Sequence, residues 1–347
     1  MSHEIRENDN MFSVREKPWH GLGNVIPEAP SIDEAIIASG LDWTASLKSM
    51  KVPMQDDQGF TYDLDVPDNF AIVRNDTQKV LGIVGNRYQV YQNSEMWAFI
   101  DEFQKQSGIK LETAGSLRNG RTTWVLAKNG TMEAISGDPI EEYFLFRNSF
   151  DGSSPISCMF TNIRVVCNNT LSAALKGTKN IFNVRHTASA DGQIKEVQRA
   201  LGIRSKYQAE VAKSFDTLAK YQMGSTDINN FLNEKIFPVK TGTVQTVGFG
   251  ENVQPLFEIS QRGETARTNK IDKVLELVET GAGTEISGVK GNAYGLYNAL
   301  TEYADHEKSV RVTEGRNKAE VKFENAFFGT GSRFKMECFN ELMKLAA

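Results

Sequence analysis

The sequence lacks an apolar run long enough to cross a membrane, since no stretch of about 20 apolar residues occurs among its 347 residues. The N-terminus, MSHEIRENDNMF, has no apolar segment typical of a signal peptide. The three cysteines are too few for a disulfide framework. Nine prolines and 28 glycines exclude collagen and long low-complexity tracts. We therefore expect a soluble, folded protein of a reducing compartment.

Motifs for metal-dependent or nucleophilic catalysis are also missing. The four histidines are scattered, and neither an H-E-x-x-H motif nor a C-x-x-C pair occurs. The glycine pairs lack the Gly-Lys-Ser/Thr ending of a P-loop, and the Gly-x-Ser-x-Gly esterase motif is absent. We therefore predict a non-enzymatic protein that needs no metal, nucleotide or other cofactor.

One acidic cluster leaves an alternative open. Its aspartates lie in a segment that also contains Pro53, Gly59 and Pro67; they are Asp56, Asp57, Asp63, Asp65 and Asp68. Proline, glycine and aspartate together are typical of a solvated loop. A Mg²⁺ or Ca²⁺ site is the alternative, although the spacing is not that of an EF-hand.

The pattern of apolar residues predicts strands in the first half of the chain and helices in the second. Two strand-like runs flank Asn119-Gly120, which favours a type I′ turn because both central residues need a positive φ. One segment before them has apolar residues at helical spacing and ends at Gly108: Met96, Phe99, Ile100 and Phe103. The pattern indicates an α+β fold, with an N-terminal antiparallel-rich sheet and an inserted helix, followed by a helix-rich C-terminal half.

This change along the chain predicts three regions. Residues 1–42 form an N-terminal arm with a short helix, and residues 43–189 form a β-rich core domain. Residues 190–347 form a helical region that packs on the core or mediates oligomerisation. The apolar stripe of its first helix is interrupted at Arg204 and Gln208, which favours a contact with another subunit. We predict a homo-oligomer, with a ring as one possible form.

Charge is unevenly distributed along the chain. Lys+Arg 39 and Asp+Glu 44 give a formal net charge of −5. Between residues 160 and 222, however, ten basic residues stand against four acidic ones, a local net charge of +6. Such segregation is typical of a groove for a polyanion on an otherwise acidic protein. A solvated helix face that happens to be basic is the alternative.

Cationic and aromatic residues in and before this basic segment are the candidate nucleic-acid-binding residues. The cations would contact phosphates and Trp124 would stack on a base, as in sites that follow a single strand. The set is Arg118, Arg121, Trp124, Arg147, Arg164, Lys176, Lys179, Arg185, His186, Arg204 and Lys206. No catalytic residue and no metal ligand is predicted.

Six short segments resemble a known family. They are PWHGLG at 18–23, NRYQV at 86–90, NSFDGS at 148–153, RVVCNNTL at 164–171, RHT at 185–187 and YNALTEY at 297–303. Together they resemble the phage- and plasmid-encoded family catalogued as domain of unknown function 932. The resemblance covers nearly the whole chain, and RVVCNNTL is its most specific part.

The resemblance implies a mobile-element protein in the cytoplasm of a bacterial host cell, and it assigns no activity. A weaker similarity is architectural. A β-rich unit with an inserted helix and a basic helical part is similar to the single-strand annealing proteins of phages. The negative net charge and the long helical second half depart from those proteins.

Two main hypotheses about function follow. The first is non-enzymatic binding and annealing of single-stranded DNA, in support of phage or plasmid recombination or replication. The alternative is a phage-encoded interaction protein that acts on a host target, such as a defence system, through its acidic surface. A metal-dependent enzyme on nucleic acid is a third class. The expected partners are single-stranded DNA, further copies of the chain and a host or phage protein, but no membrane.

Overall fold

A computed structural model describes residues 11–14, 24–135, 137–164, 169–171, 181–190, 192–194, 204–239, 245–247, 254–256, 261–312 and 318–346. The strands are β1 Met11–Val14, β2 Asn24–Ile26, β3 Ala45–Gln55, β4 Thr61–Arg74, β5 Lys79–Gly85, β6 Lys110–Leu117, β7 Thr122–Ile135, β8 Asp138–Ser149, β9 Ile156–Arg164, β10 Asn169–Leu171, β11 Ile181–Val184, β12 Gln245–Val247 and β13 Gln254–Leu256. The α-helices are α1 Ile32–Ser39, α2 Asn93–Ser107, α3 Arg204–Lys220, α4 Ser225–Phe231, α5 Gln261–Thr280, α6 Ala293–Glu302, α7 Lys318–Phe327 and α8 Thr330–Ala346.

Eight strands form one large sheet in the order β10–β9–β8–β7–β6–β1–β2, with β11 also paired to β9. All neighbours are antiparallel except β1 and β2. At the β6–β7 turn, Asn119 and Gly120 have φ values of 61° and 92°, so the expected positive-φ turn is confirmed. This sheet, the helix inserted between β5 and β6 and the helical second half confirm the α+β fold class.

The inserted helix α2 covers one face of the large sheet. Its helical spacing places Phe99 and Phe103 on one side, where both rings pack against Phe144 of β8 at centroid distances of 6.1 and 4.6 Å. Gly108 ends the helix in the left-handed conformation, with a φ of 69°. The predicted helix and its end are therefore confirmed.

Helix α7 covers the opposite face of the same sheet. Alternation along β8 sends Phe144 towards α2, whereas Tyr143 and Leu145 belong to a second apolar cluster that includes Phe323 of α7. Trp124 of β7 lies in this cluster, 4.7 Å from the ring of Phe323. The large sheet is therefore buried on both faces in this region.

Strands β3, β4 and β5 form a separate three-stranded sheet, whose outer end projects as a two-stranded hairpin. We call residues 50–66 of this hairpin the arm, which is distinct from the N-terminal arm predicted for residues 1–42. The solvated-loop interpretation of the acidic segment is wrong for Asp63, Asp65 and Asp68, which lie in β4, whereas Asp56 and Asp57 do lie in a turn. The antiparallel register continues through Pro53, which pairs with Asp63, and only the turn at 56–60 is a loop.

The helical second half shares the main core with the sheet. Phe215 of α3, Tyr297 of α6 and Phe339 of α8 contact one another, with ring centroids 5.6–6.2 Å apart. The buried Tyr294 hydroxyl donates a hydrogen bond to the Asp138 carboxylate at 2.8 Å. The division at residues 42 and 189 stays a prediction. Among the described helices, none has the length and apolar character that a membrane span requires.

Candidate functional site

Residues 148–153, which we call the motif loop, form the centre of the candidate site. Asp151 organises this loop, because its Oδ1 accepts hydrogen bonds from the Ser149 hydroxyl at 2.9 Å and the Ser153 amide at 3.0 Å. Gly152 follows with a φ of 72°, a conformation that glycine adopts at little cost. The NSFDGS string is therefore a rigid turn at the end of β8.

Two other segments of the family resemblance meet this loop. The Tyr88 hydroxyl donates to the Ser149 carbonyl at 2.6 Å, and the Tyr88 ring stacks on His186 at 4.5 Å with an interplanar angle of 14°. The Gln89 amide donates to the His186 carbonyl, and His186 Nδ1 lies 3.2 Å from the Gln89 carbonyl oxygen. Segments 86–90, 148–153 and 185–187 thus form one structure, which we call the motif cluster.

Arg118 ties the motif loop to helix α7. Its guanidinium lies 3.4 Å from the Asp151 carboxylate and 3.3 Å from that of Glu324, and it donates to the Thr122 hydroxyl at 2.8 Å. Burial alone would raise the pKa of Asp151, but hydrogen bonds from Ser153 and the charge of Arg118 lower it below its ordinary value. Arg118 is therefore already engaged with two carboxylates.

For four of the predicted residues, this geometry shows that the predicted role in nucleic-acid binding is wrong. Trp124 is 1% exposed and packed on Phe323, so it cannot stack on a base. Arg118 is held by two carboxylates, and the guanidinium of Arg147 lies 4.4 Å above the ring of Phe328. His186 is buried beneath Tyr88. These side chains form the internal contacts of the site and are not available to bind a nucleic-acid strand.

Two of the predicted binding residues lie at the surface, and a third surface arginine was not among the predicted residues. Arg121 and Arg185 are exposed, as is Arg87, and none of the three forms an ion pair with a carboxylate of the described residues. Arg87 and Arg185 precede the stacked Tyr88 and His186, and the Arg121 carbonyl accepts from the amide of Phe150 in the motif loop. Arg87 could have been found from the sequence, because it lies in the NRYQV string.

The other predicted residues cannot be placed. Lys176 and Lys179 lie outside the described residues, and the side chains of three further residues do as well: Arg164, Arg204 and Lys206. Their roles in binding stay predictions.

The motif cluster has a positive charge balance. Among the described residues, three carboxylates lie in it or form a bond or ion pair to it, on Asp68, Asp151 and Glu324; Asp68 accepts a hydrogen bond from Asn86 at 2.7 Å. Five arginines stand against them: Arg87, Arg118, Arg121, Arg147 and Arg185. Because Arg118 is held by Asp151 and Glu324, the surplus charge lies on the exposed arginines. Such a surface favours an anion such as a phosphate.

His186 is expected to make the stability of the protein dependent on pH. Burial lowers the pKa of His186, and the bond to the Gln89 carbonyl only partly offsets this. Its Nε2 is buried without a hydrogen-bond partner among the described residues, so a proton there would be poorly stabilised. The unfolded state therefore binds this proton at a higher pH than the folded state.

We expect the free energy of unfolding to fall as the pH drops below about 6.5, because protonation of His186 then favours the unfolded chain. Urea denaturation at pH 7.5 and pH 5.5 measures the effect. In the His186→Gln variant the difference between the two pH values is expected to be smaller than in the wild type. An equal difference in both proteins would show that other groups cause the pH dependence.

A comparison with protein families identifies the chain. Residues 80–325 match the family described as Domain of unknown function (DUF932). The chain belongs to this family. The DUF932 match begins in β5 and ends in α7, so it contains the whole motif cluster and leaves the arm outside. No curated protein and no solved structure matches the chain.

The described residues contain no group of three or more histidine, cysteine, aspartate or glutamate side chains that could hold a metal ion. The aspartates of the arm are instead spread along a strand and its turn. Asp63 pairs with Lys51 across the hairpin, with the Lys51 Nζ atom 3.9 Å from the carboxylate. Asp56 accepts hydrogen bonds from the amides of Gln58 and Phe60 within the turn.

Proposed function

We propose that this DUF932 protein binds single-stranded nucleic acid without catalysing a reaction, and supports annealing, recombination or replication of phage or plasmid DNA in a bacterial cytoplasm. The observation that carries the proposal is the group of exposed arginines around the motif cluster, Arg87, Arg121 and Arg185, which form no ion pair with a carboxylate of the described residues. Arg121 and Arg185 are kept from the predicted set and Arg87 is added, whereas Arg118, Arg147, Trp124 and His186 are no longer expected to contact the nucleic acid.

The arginines suit a phosphate backbone because the scaffold below them is rigid. Arg87 and Arg185 flank a stacked pair of rings, and Arg121 lies beside a turn fixed by Arg118. Guanidinium groups donate several hydrogen bonds to phosphate oxygens in a fixed planar geometry. Charges carried on an ordered base bind phosphates with a smaller loss of loop and side-chain entropy than charges on a loop that must first be ordered.

The preference for single strands rests on the architectural similarity to phage annealing proteins. In the DUF932 chain, a β-rich unit with an inserted helix precedes a helical part, as it does in those proteins. The acidic arm argues that the nucleic acid lies elsewhere: residues 50–66 contain four aspartates and a single lysine. A polyanion is therefore directed to the motif cluster rather than to the arm.

Fluorescence anisotropy of labelled oligonucleotides tests the proposal. The wild type is expected to bind single strands more tightly than duplexes, with an affinity that decreases as salt is added. The double variant Arg87→Ala/Arg185→Ala is expected to bind roughly tenfold more weakly, because two phosphate contacts are lost. Both side chains are exposed, so its thermal stability is expected to stay close to that of the wild type.

The matched control is Arg311→Ala/Arg333→Ala. Both arginines are exposed in the helical half, and this variant loses the same two positive charges as the test variant. It is expected to bind like the wild type. Equal weakening by the two double variants would mean that only net charge matters, and the assignment of the site would then be wrong.

The competing proposal is a phage-encoded interaction protein that acts on a host protein. The specific observation in its favour is the acidic arm, which lies outside the DUF932 match. It predicts no binding of either strand form even at low salt. Metal-dependent shortening of the labelled strand would instead indicate an enzyme.

A further inference from the structure

The arm has one apolar face that no other described part of the chain covers. Cross-strand pairs in the hairpin register place three pairs on this face: Met50 with Val66, Val52 with Leu64, and Met54 with Tyr62. Val52, Met54, Tyr62 and Leu64 are all exposed. The opposite face carries polar pairs, such as Lys51 with Asp65. The arm is therefore amphipathic, and its apolar side faces solvent.

The same face continues into the three-stranded sheet. The pairing register shifts between Ser49 and Met50, where residues 67–69 are extra in β4, but β3 itself continues without an extra residue. Alternation along β3 therefore places Lys48 on the same side as Met50, and Lys48 pairs with Ala71, which in turn pairs with Ile83 of β5. Val80 pairs with Val73 on this side as well. Ile83 and Val80 are 56% and 54% exposed. We call the whole surface, from the arm to β5, the apolar sheet face.

The area of this face matches one side of a stable interface. Six half-exposed large side chains and four partly exposed ones leave roughly 600 Å² of apolar surface, which is large for a patch on a monomer. A standard interface buries about 800 Å² per partner, of which roughly 500 Å² is apolar. A second protein surface is thus expected to cover it.

Edge-to-edge pairing of strands is disfavoured on the outer side of β3. This long edge strand contains Pro53, which has no amide hydrogen to donate, and the exposed Lys48 and Lys51. Proline and lysine are the residues that protect edge strands from pairing with another chain. The partner is therefore expected to pack on the face of the sheet and not along its edge.

The charges at the two ends of the arm are complementary to each other. Lys48 lies on the face at the base of the arm, and Asp56 and Asp57 lie at its tip. Eight residues of extended strand, about 26 Å, separate Lys48 from Asp56, and the Val52–Leu64 pair lies midway. A two-fold axis at this pair would bring the base of one arm to the tip of another.

The geometry points to a second copy of this chain as the occupant, docked antiparallel on the apolar sheet face about a two-fold axis near Val52 and Leu64. In this arrangement the partner's Asp57 lies near Lys48, and the partner's Phe60 reaches the level of Ala71 and Ile83. Such an isologous contact uses the same residues on both copies. The inference does not depend on nucleic-acid binding, because the arginine site lies on other residues.

Sedimentation equilibrium of the full chain tests the dimer. The wild type is expected to dimerise with a Kd of about 10 µM or tighter, and Val52→Thr/Leu64→Thr is expected to raise this Kd at least tenfold. The matched control is Ile37→Thr, which replaces an apolar residue that is 74% exposed on α1 and is not part of the apolar sheet face. The control is expected to dimerise like the wild type.

A charge exchange distinguishes self-association from another partner. Lys48→Asp and Asp57→Lys are each expected to raise the dimer Kd about fivefold, and the double variant is expected to restore it to within about twofold. Lys51→Asp, on the opposite face of the same strand, is the control and is expected to leave the Kd unchanged. All of these positions are exposed, so the variants are expected to fold.

Two results would overturn the inference. A chain that stays monomeric at 100 µM would mean that the face belongs to a different protein. A dimer that is unaffected by the Val52→Thr/Leu64→Thr and charge-exchange variants would mean that it forms through another surface. Circular dichroism of each variant separates both results from misfolding.

Discussion

The free energy of unfolding of the Asp305→Ala variant is expected to be about 3–5 kcal/mol lower than that of the wild type. Asp305 and Lys335 form an ion pair with Nζ and Oδ1 2.6 Å apart, and both side chains are 0% exposed. Burial lowers the pKa of Lys335, although the Asp305 charge partly opposes the shift. Without Asp305, the lysine is left with a charge that the protein interior cannot solvate.

This pair also bears on the motif cluster. Lys335 donates a second hydrogen bond to the Ala326 carbonyl at 3.0 Å and so fixes helix α7 against α8. Glu324, two residues earlier on α7, holds Arg118. Loss of the pair is therefore expected to loosen the contact between α7 and the motif loop.

Urea denaturation followed by circular dichroism measures this prediction. The double variant Asp305→Asn/Lys335→Met removes both charges and is expected to recover much of the lost stability. Asp216→Ala is the control, since Asp216 forms an exposed ion pair with Lys220 at 2.6 Å. It is expected to cost less than about 0.5 kcal/mol. A loss below 1 kcal/mol for Asp305→Ala would show that water reaches the lysine.

The Gly82→Ala variant is expected to lose about 1–3 kcal/mol of stability and to weaken nucleic-acid binding. A Cβ atom at this position would lie 2.5 Å from the Cα and 2.9 Å from the Cβ of Asp151. These atoms cannot rotate away, so the motif loop must shift from β5. The loop organises the base on which Arg121 and the Tyr88–His186 stack rest, and the exposed arginines would move with it.

A second glycine on the same strand provides the control. A Cβ atom at Gly85 would approach only the Asp68 carbonyl oxygen, at 3.9 Å, which is an ordinary contact. Gly85→Ala is therefore expected to change the stability by less than about 0.5 kcal/mol. Thermal unfolding and fluorescence anisotropy of both variants measure the difference in stability and in nucleic-acid binding. Equal effects at the two positions would mean that the contact with Asp151 is not what constrains the loop.

Much of the fold follows from local patterns in the sequence. The Asn119-Gly120 turn and helix α2 depend on short-range rules, and the structure confirms both. The arm was missed because Pro53, Gly59 and the aspartates are typical of loops. The informative signal was the alternation of Met50, Val52 and Met54 with polar residues, which matches a strand with one apolar face.

The candidate site could be predicted only in part. The strings that build it are recognisable, but their contacts join residues far apart in the chain, such as Tyr88 with His186 and Arg118 with Glu324. Local spacing gives no information about a carboxylate two hundred positions away. For this reason Arg118 and Arg147 were expected at the surface, whereas Arg87 was overlooked.

The salt dependence of single-strand binding tests the central claim most directly. Each phosphate contact contributes about 0.7 to the slope of log affinity against log salt. The slope of Arg87→Ala/Arg185→Ala is therefore expected to be smaller than that of the wild type by about 1.4, while the slope of Arg311→Ala/Arg333→Ala stays unchanged. Parallel lines for all three proteins, or no binding at low salt, would contradict the account.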